Sequence, residues 1–99
     1  MIRHIILWKL KEGLPEGDVP AMKAEAKRRL ESLNGSIPGL LSLTVHTNGI
    51  PSSNADMMLE STFEDVSSLE GYQTNPLHLA AAGYVRSIVE TRLCLDFEA

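Results

Sequence analysis

The first eleven residues constrain this chain more than any other part of it. Ile2, His4, Ile6, Trp8 and Leu10 fall on one side of an extended backbone, and Arg3, Ile5, Leu7 and Lys9 on the other. A strand through this segment therefore carries apolar side chains on both faces. Each face needs cover, and whatever the chain folds into must supply it twice.

The remaining residues supply the other elements. Glu12–Glu16, with Gly13 and Pro15, reads as a loop, and Asp18 is placed to cap a helix with Pro20 in its first turn. Met22, Ala26, Leu30 and Leu33 form the apolar stripe of that helix, with Glu25 and Arg29 paired on its exposed side and a stop around Asn34 and Gly35. After Pro38 and Gly39, Leu40–Thr47 alternates as a second strand, Leu41, Leu43 and Val45 on one face and Ser42, Thr44 and His46 on the other. The Asn, Gly, Pro and Ser content of Asn48–Asn54 predicts a hairpin loop. A third strand follows over Asp56–Phe63, with Met57, Leu59 and Phe63 opposed to Met58, Glu60 and Thr62, and Asp56, Glu60 and Glu64 forming a solvated edge.

Asp65 can cap a short helix presenting Val66, Leu69 and Tyr72. Asn75 and Pro76 then break and restart it, asparagine as the cap and proline in the first turn, and Gly83 is expected to fray or bend it before an end near Val89. Thr91–Glu98 closes the chain as a strand with Leu93, Leu95 and Phe97 against Arg92, Cys94 and Asp96. The order strand, helix, strand, strand, helix, strand in 99 residues is the α+β, ferredoxin-like βαββαβ pattern. It implies a four-stranded antiparallel sheet with its helices on one face and one domain over residues 1–99. The opposite sheet face, to which Leu40 is expected to add, exceeds the apolar patch a monomer normally exposes, which predicts a homodimer joined through its sheets.

Composition narrows the function classes. Residues 1–31 hold seven Lys/Arg against five Asp/Glu, while residues 32–99 hold only Arg86 and Arg92 against eight acids. That balance repels phosphate and argues against nucleic acid as a partner. No apolar run approaches the roughly 20 residues of a membrane span, and the charge at Arg3 argues against a signal peptide, so a cytoplasmic protein without membrane contact is expected. Cys94 is the lone cysteine, and with three scattered histidines it makes no structural zinc site, so no metal is expected.

Several segments match, in order, the stress-responsive dimeric α/β-barrel family. Met1–Lys11 resembles that family's opening strand, a hydrophobic run around a histidine closing in Lys-x-Lys; Pro38, Gly39 and Leu40 resemble the turn into its second strand. Ser61–Asp65 resembles the end of its third strand, Tyr72–His78 its Tyr-x-x-His-Pro-x-His segment, and Asp96, Phe97 and Glu98 its tail. Asn75 stands where the family has the first of those histidines. The resemblance implies a homodimer whose two sheets close into a barrel. Through a plant relative, olivetolic acid cyclase, it also implies aldol-type ring closure without metal or organic cofactor. The working pair there is similar to Tyr72 and His78, with a strand-one histidine, matching His4, near the pocket.

The residues make that pair chemically sensible. His78 is third in the restarted helix, where free N–H groups and the positive end of the macrodipole disfavour an added proton and leave an imidazole able to accept one from carbon. The Tyr72 hydroxyl can polarise a carbonyl or hold an enolate oxygen. The expectation is a pocket between sheet and helices, lined by His4, Ile6 and Trp8, that binds a small hydrophobic carbonyl compound, with Tyr72 and His78 as catalytic groups and no cofactor. Two other readings stand beside it: a non-catalytic binding or structural dimer, in which Tyr72 is core and His78 a satisfied polar residue, and a cofactor-free monooxygenase or haem-degrading enzyme. Cys94 as a nucleophile would need a base that the sequence does not locate.

Overall fold

The computed structural model describes residues 1–99. Four strands, β1 (Ile2–Leu10), β2 (Leu40–His46), β3 (Met57–Phe63) and β4 (Val89–Glu98), form one antiparallel sheet in the order β2-β3-β1-β4. Three helices accompany them: α1 (Val19–Glu31), α2 (Val66–Thr74) and α3 (Pro76–Ile88). This is the ferredoxin-like α+β fold. β1 occupies a central position, which explains its apolar content. Ile2, His4, Ile6 and Trp8 are buried on the helix side, while Ile5 and Leu7 lie on the other. The core joins them to Ala26, Leu30 and Leu33 of the first helical segment, Leu43 and Val45 of β2, Leu59 and Phe63 of β3, and Leu69, Tyr72, Ala81 and Val85 above the sheet.

Five local expectations are corrected. Asp18 makes no capping bond, because a 3-10 turn over Glu16–Asp18 runs into α1 and leaves Asp18 with helical dihedrals, whereas a capping side chain works from extended backbone. In β2 the register slips between Leu40 and Ser42, so Leu40 is buried in the core and Leu41 is half exposed, the reverse of the simple alternation. Asp56 is not part of a solvated edge: its Oδ2 accepts from the Leu10 N–H at 2.8 Å and its own N–H donates to the Trp8 carbonyl, clasping the end of β1. Val66 is exposed, and α3 continues through Gly83 without interruption.

The second helical region breaks where the sequence places the break. Asp65 Oδ1 accepts from the Ser68 N–H at 2.8 Å to start α2, and Asn75 Oδ1 accepts from the Leu77 N–H at 2.9 Å to start α3 at Pro76. Asn75 thus serves as the cap. α2 also sits hard against the turn into β2. Gly39 has φ +78°, and a Cβ there would lie 2.1 Å from Ser68 Oγ and 2.4 Å from Ser68 Cβ.

Gly39→Ala should therefore cost about 2 kcal/mol, from the disfavoured φ and the displaced Ser68 together, and lower the Tm by roughly 10 °C. Gly35→Ala, also at positive φ but facing open space, should cost about half as much. Thermal melts of the two variants check the order; an equal loss in both would remove the packing contribution.

Candidate functional site

Between the sheet and α2/α3 lies a cavity of about 380 Å³. The catalytic and substrate-binding residues expected from the sequence line it: His4, Ile6 and Trp8 from β1, Tyr72 from α2 and His78 from α3. The break at Asn75–Pro76 turns the chain so that Tyr72 and His78 face each other, ring centroids 4.1 Å apart and planes inclined at 40°. Tyr72 also packs against Phe63 at 5.0 Å, and His4 stands edge-on to Tyr72 at 6.1 Å.

Environment sets the protonation of the pair. Burial pushes the Tyr72 phenol well above its ordinary range, with nearby Arg92 opposing only in part, so the group is an O–H donor throughout the neutral range. Burial likewise pushes His78 below its usual value. Its Nδ1 is buried without a hydrogen-bond partner at normal geometry, and the Gln73 backbone lies near enough to oppose the shift partway. The direction agrees with the helix-start argument, but burial is the larger cause. A neutral imidazole therefore stands beside a protonated phenol in a pocket walled mainly by Ile6, Trp8, Leu30, Leu59 and Val85.

β4 supplies the groups that the sequence reading missed. Its register sets Arg92, Cys94 and Asp96 opposite Trp8, Ile6 and His4. His4 Nδ1 donates to Asp96 Oδ1, which leaves Nε2 as the other ring nitrogen, and Cys94 Sγ lies 3.8 Å from His4 Nδ1 and 3.5 Å from Asp96 Oδ1. The sequence locates no base for Cys94; the fold puts His4 beside it, yet burial and then the Asp96 carboxylate push the thiol up, away from the nucleophilic thiolate. These three side chains are the set that could chelate a cation, although two of them are exposed. Arg92 and Arg86 line the cavity as well. The signal for them was present in the sequence, since they are the only cations after residue 31. His46 is exposed, 3.6 Å from Glu60 and remote from this cavity.

A histidine whose folded pKa lies below its unfolded value of about 6.5 takes up its proton first in the unfolded chain, so its contribution to stability is lost as pH falls through that value. The His78 ring should titrate by NMR with a midpoint below 6.5, and His78→Gln should flatten part of the loss of stability on acidification. A midpoint at or above that value would show that burial does not control the ring.

The model of the Stress responsive A/B Barrel Domain matches residues 2–99. The comparison with curated proteins gave no match. Among solved structures, a dimeric protein of unknown function and ferredoxin-like fold from Bacteroides fragilis aligns with a TM-score of 0.91 at 28% identity, covering 99% of this chain and 95% of that one. A hydroxynitrile lyase from Passiflora edulis aligns with a TM-score of 0.72 at 20% identity over 97% of this chain and 90% of its own. An antibiotic biosynthesis monooxygenase gives 0.75 at 9% identity over 100% and 98%. The last two are similar in fold.

Proposed function

The chain belongs to the stress-responsive A/B barrel domain family, and from that premise we propose that it is a cytoplasmic homodimer whose cavity binds a small hydrophobic carbonyl compound and catalyses cofactor-independent, aldol-type cyclase or lyase chemistry. The observation that carries this reading is the close, tilted pairing of a protonated Tyr72 with a neutral His78 inside an apolar cavity. Tyr72 O–H donates to the carbonyl oxygen and lowers the acidity barrier at the adjacent carbon. His78 takes the proton from that carbon, and the charge moves to the oxygen, where the Tyr72 hydrogen bond strengthens as it develops. The enolate carbon then attacks a second carbonyl of the substrate, the new C–C bond opening that C=O to an alkoxide, and the His78 imidazolium returns the proton to the alkoxide; cleavage is the same sequence in reverse. His4, Ile6 and Trp8 orient the substrate. The likeness to olivetolic acid cyclase at Tyr72, His78 and His4 is part of this reading.

The assay is proton–deuterium exchange alpha to the carbonyl, followed by NMR in D2O over a panel of small hydrophobic aldehydes and ketones. Tyr72→Phe and His78→Ala should each slow exchange of an accepted compound by roughly 100-fold or more. Unchanged exchange in both variants would overturn the catalytic assignment in favour of the non-catalytic binding dimer, the reading to which the near-complete burial of Tyr72 lends support.

The homodimer rests on the outer sheet face. Ile5 and Leu7 of β1 pair laterally with Leu95 and Leu93 of β4, and Leu7 with Met58 of β3, giving one apolar row that continues to Phe97. Leu93 and Leu95 are about two-thirds exposed in the protomer (64% and 65%). Burying such side chains contributes about 1.5–3 kcal/mol each, several of which together exceed the cost of association. Light scattering at micromolar concentration should give the mass of a dimer, and Leu95→Glu should halve it; a monomeric mass for the unaltered protein would contradict the proposal.

A further inference from the structure

The charge of the cavity is opposite to that of the molecule around it. The chain carries a net charge of −4, and residues 32–99 contain eight acids and two bases. Those two bases, Arg86 on α3 and Arg92 on β4, both line the same cavity, and no Asp or Glu lines it with them. Neither arginine forms an ion pair: the salt bridges of the protein are those of Lys27, Arg28 and Arg29 with glutamates on α1, His46 with Glu60, and His4 with Asp96. Two exposed arginines from different elements thus border one apolar pocket without a counter-charge among its lining residues.

We propose that the ligand of this cavity is an anion, a hydrophobic carbonyl compound bearing a carboxylate, with Arg86 and Arg92 holding the carboxylate. The inference rests on the carbonyl-binding reading above and narrows it from any small ketone or aldehyde to a keto acid. Guanidinium suits this role because its planar fork of N–H donors matches a carboxylate in paired hydrogen bonds and keeps its charge at any working pH. The remainder of the pocket suits the rest of such a molecule, since Ile6, Leu30 and Leu59 offer no polar side-chain group to a hydrocarbon chain and Trp8 offers a large aromatic surface, while Tyr72 and His78 wait at the carbonyl. With the carboxylate fixed at the arginines, the reacting carbon is positioned by charge as well as by shape. Arg92 lies close enough to influence both Tyr72 and His78, so one side chain links recognition to the chemical pair.

Trp8 is the only tryptophan and lies in the cavity wall, so its fluorescence reports occupancy directly. The probes are 5-oxodecanoate and its uncharged amide, titrated against the intact protein. The keto acid should bind about tenfold more tightly than the amide, the difference expected of hydrogen bonds to a charged group, and the preference should shrink as salt is raised. In Arg86→Gln/Arg92→Gln the preference should fall to within about twofold, while Arg28→Gln, on the exposed side of α1, should leave it intact. Equal binding of both probes to the unaltered protein would overturn the anion proposal and leave the carbonyl reading standing. Binding of neither would overturn both, and a preference that survives the double substitution would remove the two arginines as its source.

Discussion

The structure depends on β1 being covered on both faces. As a central strand it is hydrogen-bonded to β3 on one side and β4 on the other, so its backbone is satisfied within the sheet and only its side chains remain to be placed. The helices cover the Ile2, His4, Ile6 and Trp8 side. The same alternation that feeds the core forces Ile5 and Leu7 outward, and β3 and β4 extend the patch with Met58, Leu93, Leu95 and Phe97. The cavity and the outer apolar row are thus the two sides of one strand.

Two interruptions of regular structure shape the molecule, the first of them at the candidate site and the second in the core. At Asn75–Pro76 a continuous helix would have carried Tyr72 and His78 to different azimuths, since six residues span more than one and a half turns. The cap and the proline end one helix, redirect the chain and start another, and the two rings meet. At Leu40–Ser42 the bulge returns Leu40 to the core and aligns Leu43 and Val45 beneath α1. Without it the strand would present Leu41 to the helices and expose its neighbour.

Much of this was legible in the sequence, and the failures share a cause. Alternation and caps are local, so the strand faces of β1 and β3, the stripe of α1 and the break before α3 were readable from neighbouring residues. The bulge in β2 was not, because Pro38-Gly39-Leu40-Leu41 fits either parity and only pairing with Phe63 and Thr62 chooses between them. The same limit hid the partnership of His4 with Asp96 and the arrival of Arg92 at the cavity. Those depend on which residue of β4 stands opposite which residue of β1, and that register is fixed across ninety residues of chain. Asp56 was misread for a similar reason, its role being set by the far end of β1. His4, Tyr72 and His78, which line the cavity, were singled out through the resemblance of short segments to those of the family.

β4 is an edge strand, and from Glu90 to Glu98 every residue of the protomer is exposed. Arg92, Cys94 and Asp96 look toward the cavity side, while Leu93, Leu95 and Phe97 look away from it. Its attachment to the sheet is the ladder to β1, together with the His4–Asp96 hydrogen bond. The self-association proposed for the outer surface and the ligand binding proposed for the inner one would therefore draw on the order of the same ten residues. Two equilibria that share an ordered segment are thermodynamically linked, and the linkage is reciprocal: a ligand that steadied the inner row would strengthen the dimer, and the dimer would raise the affinity for that ligand by the same factor, across a single layer of sheet.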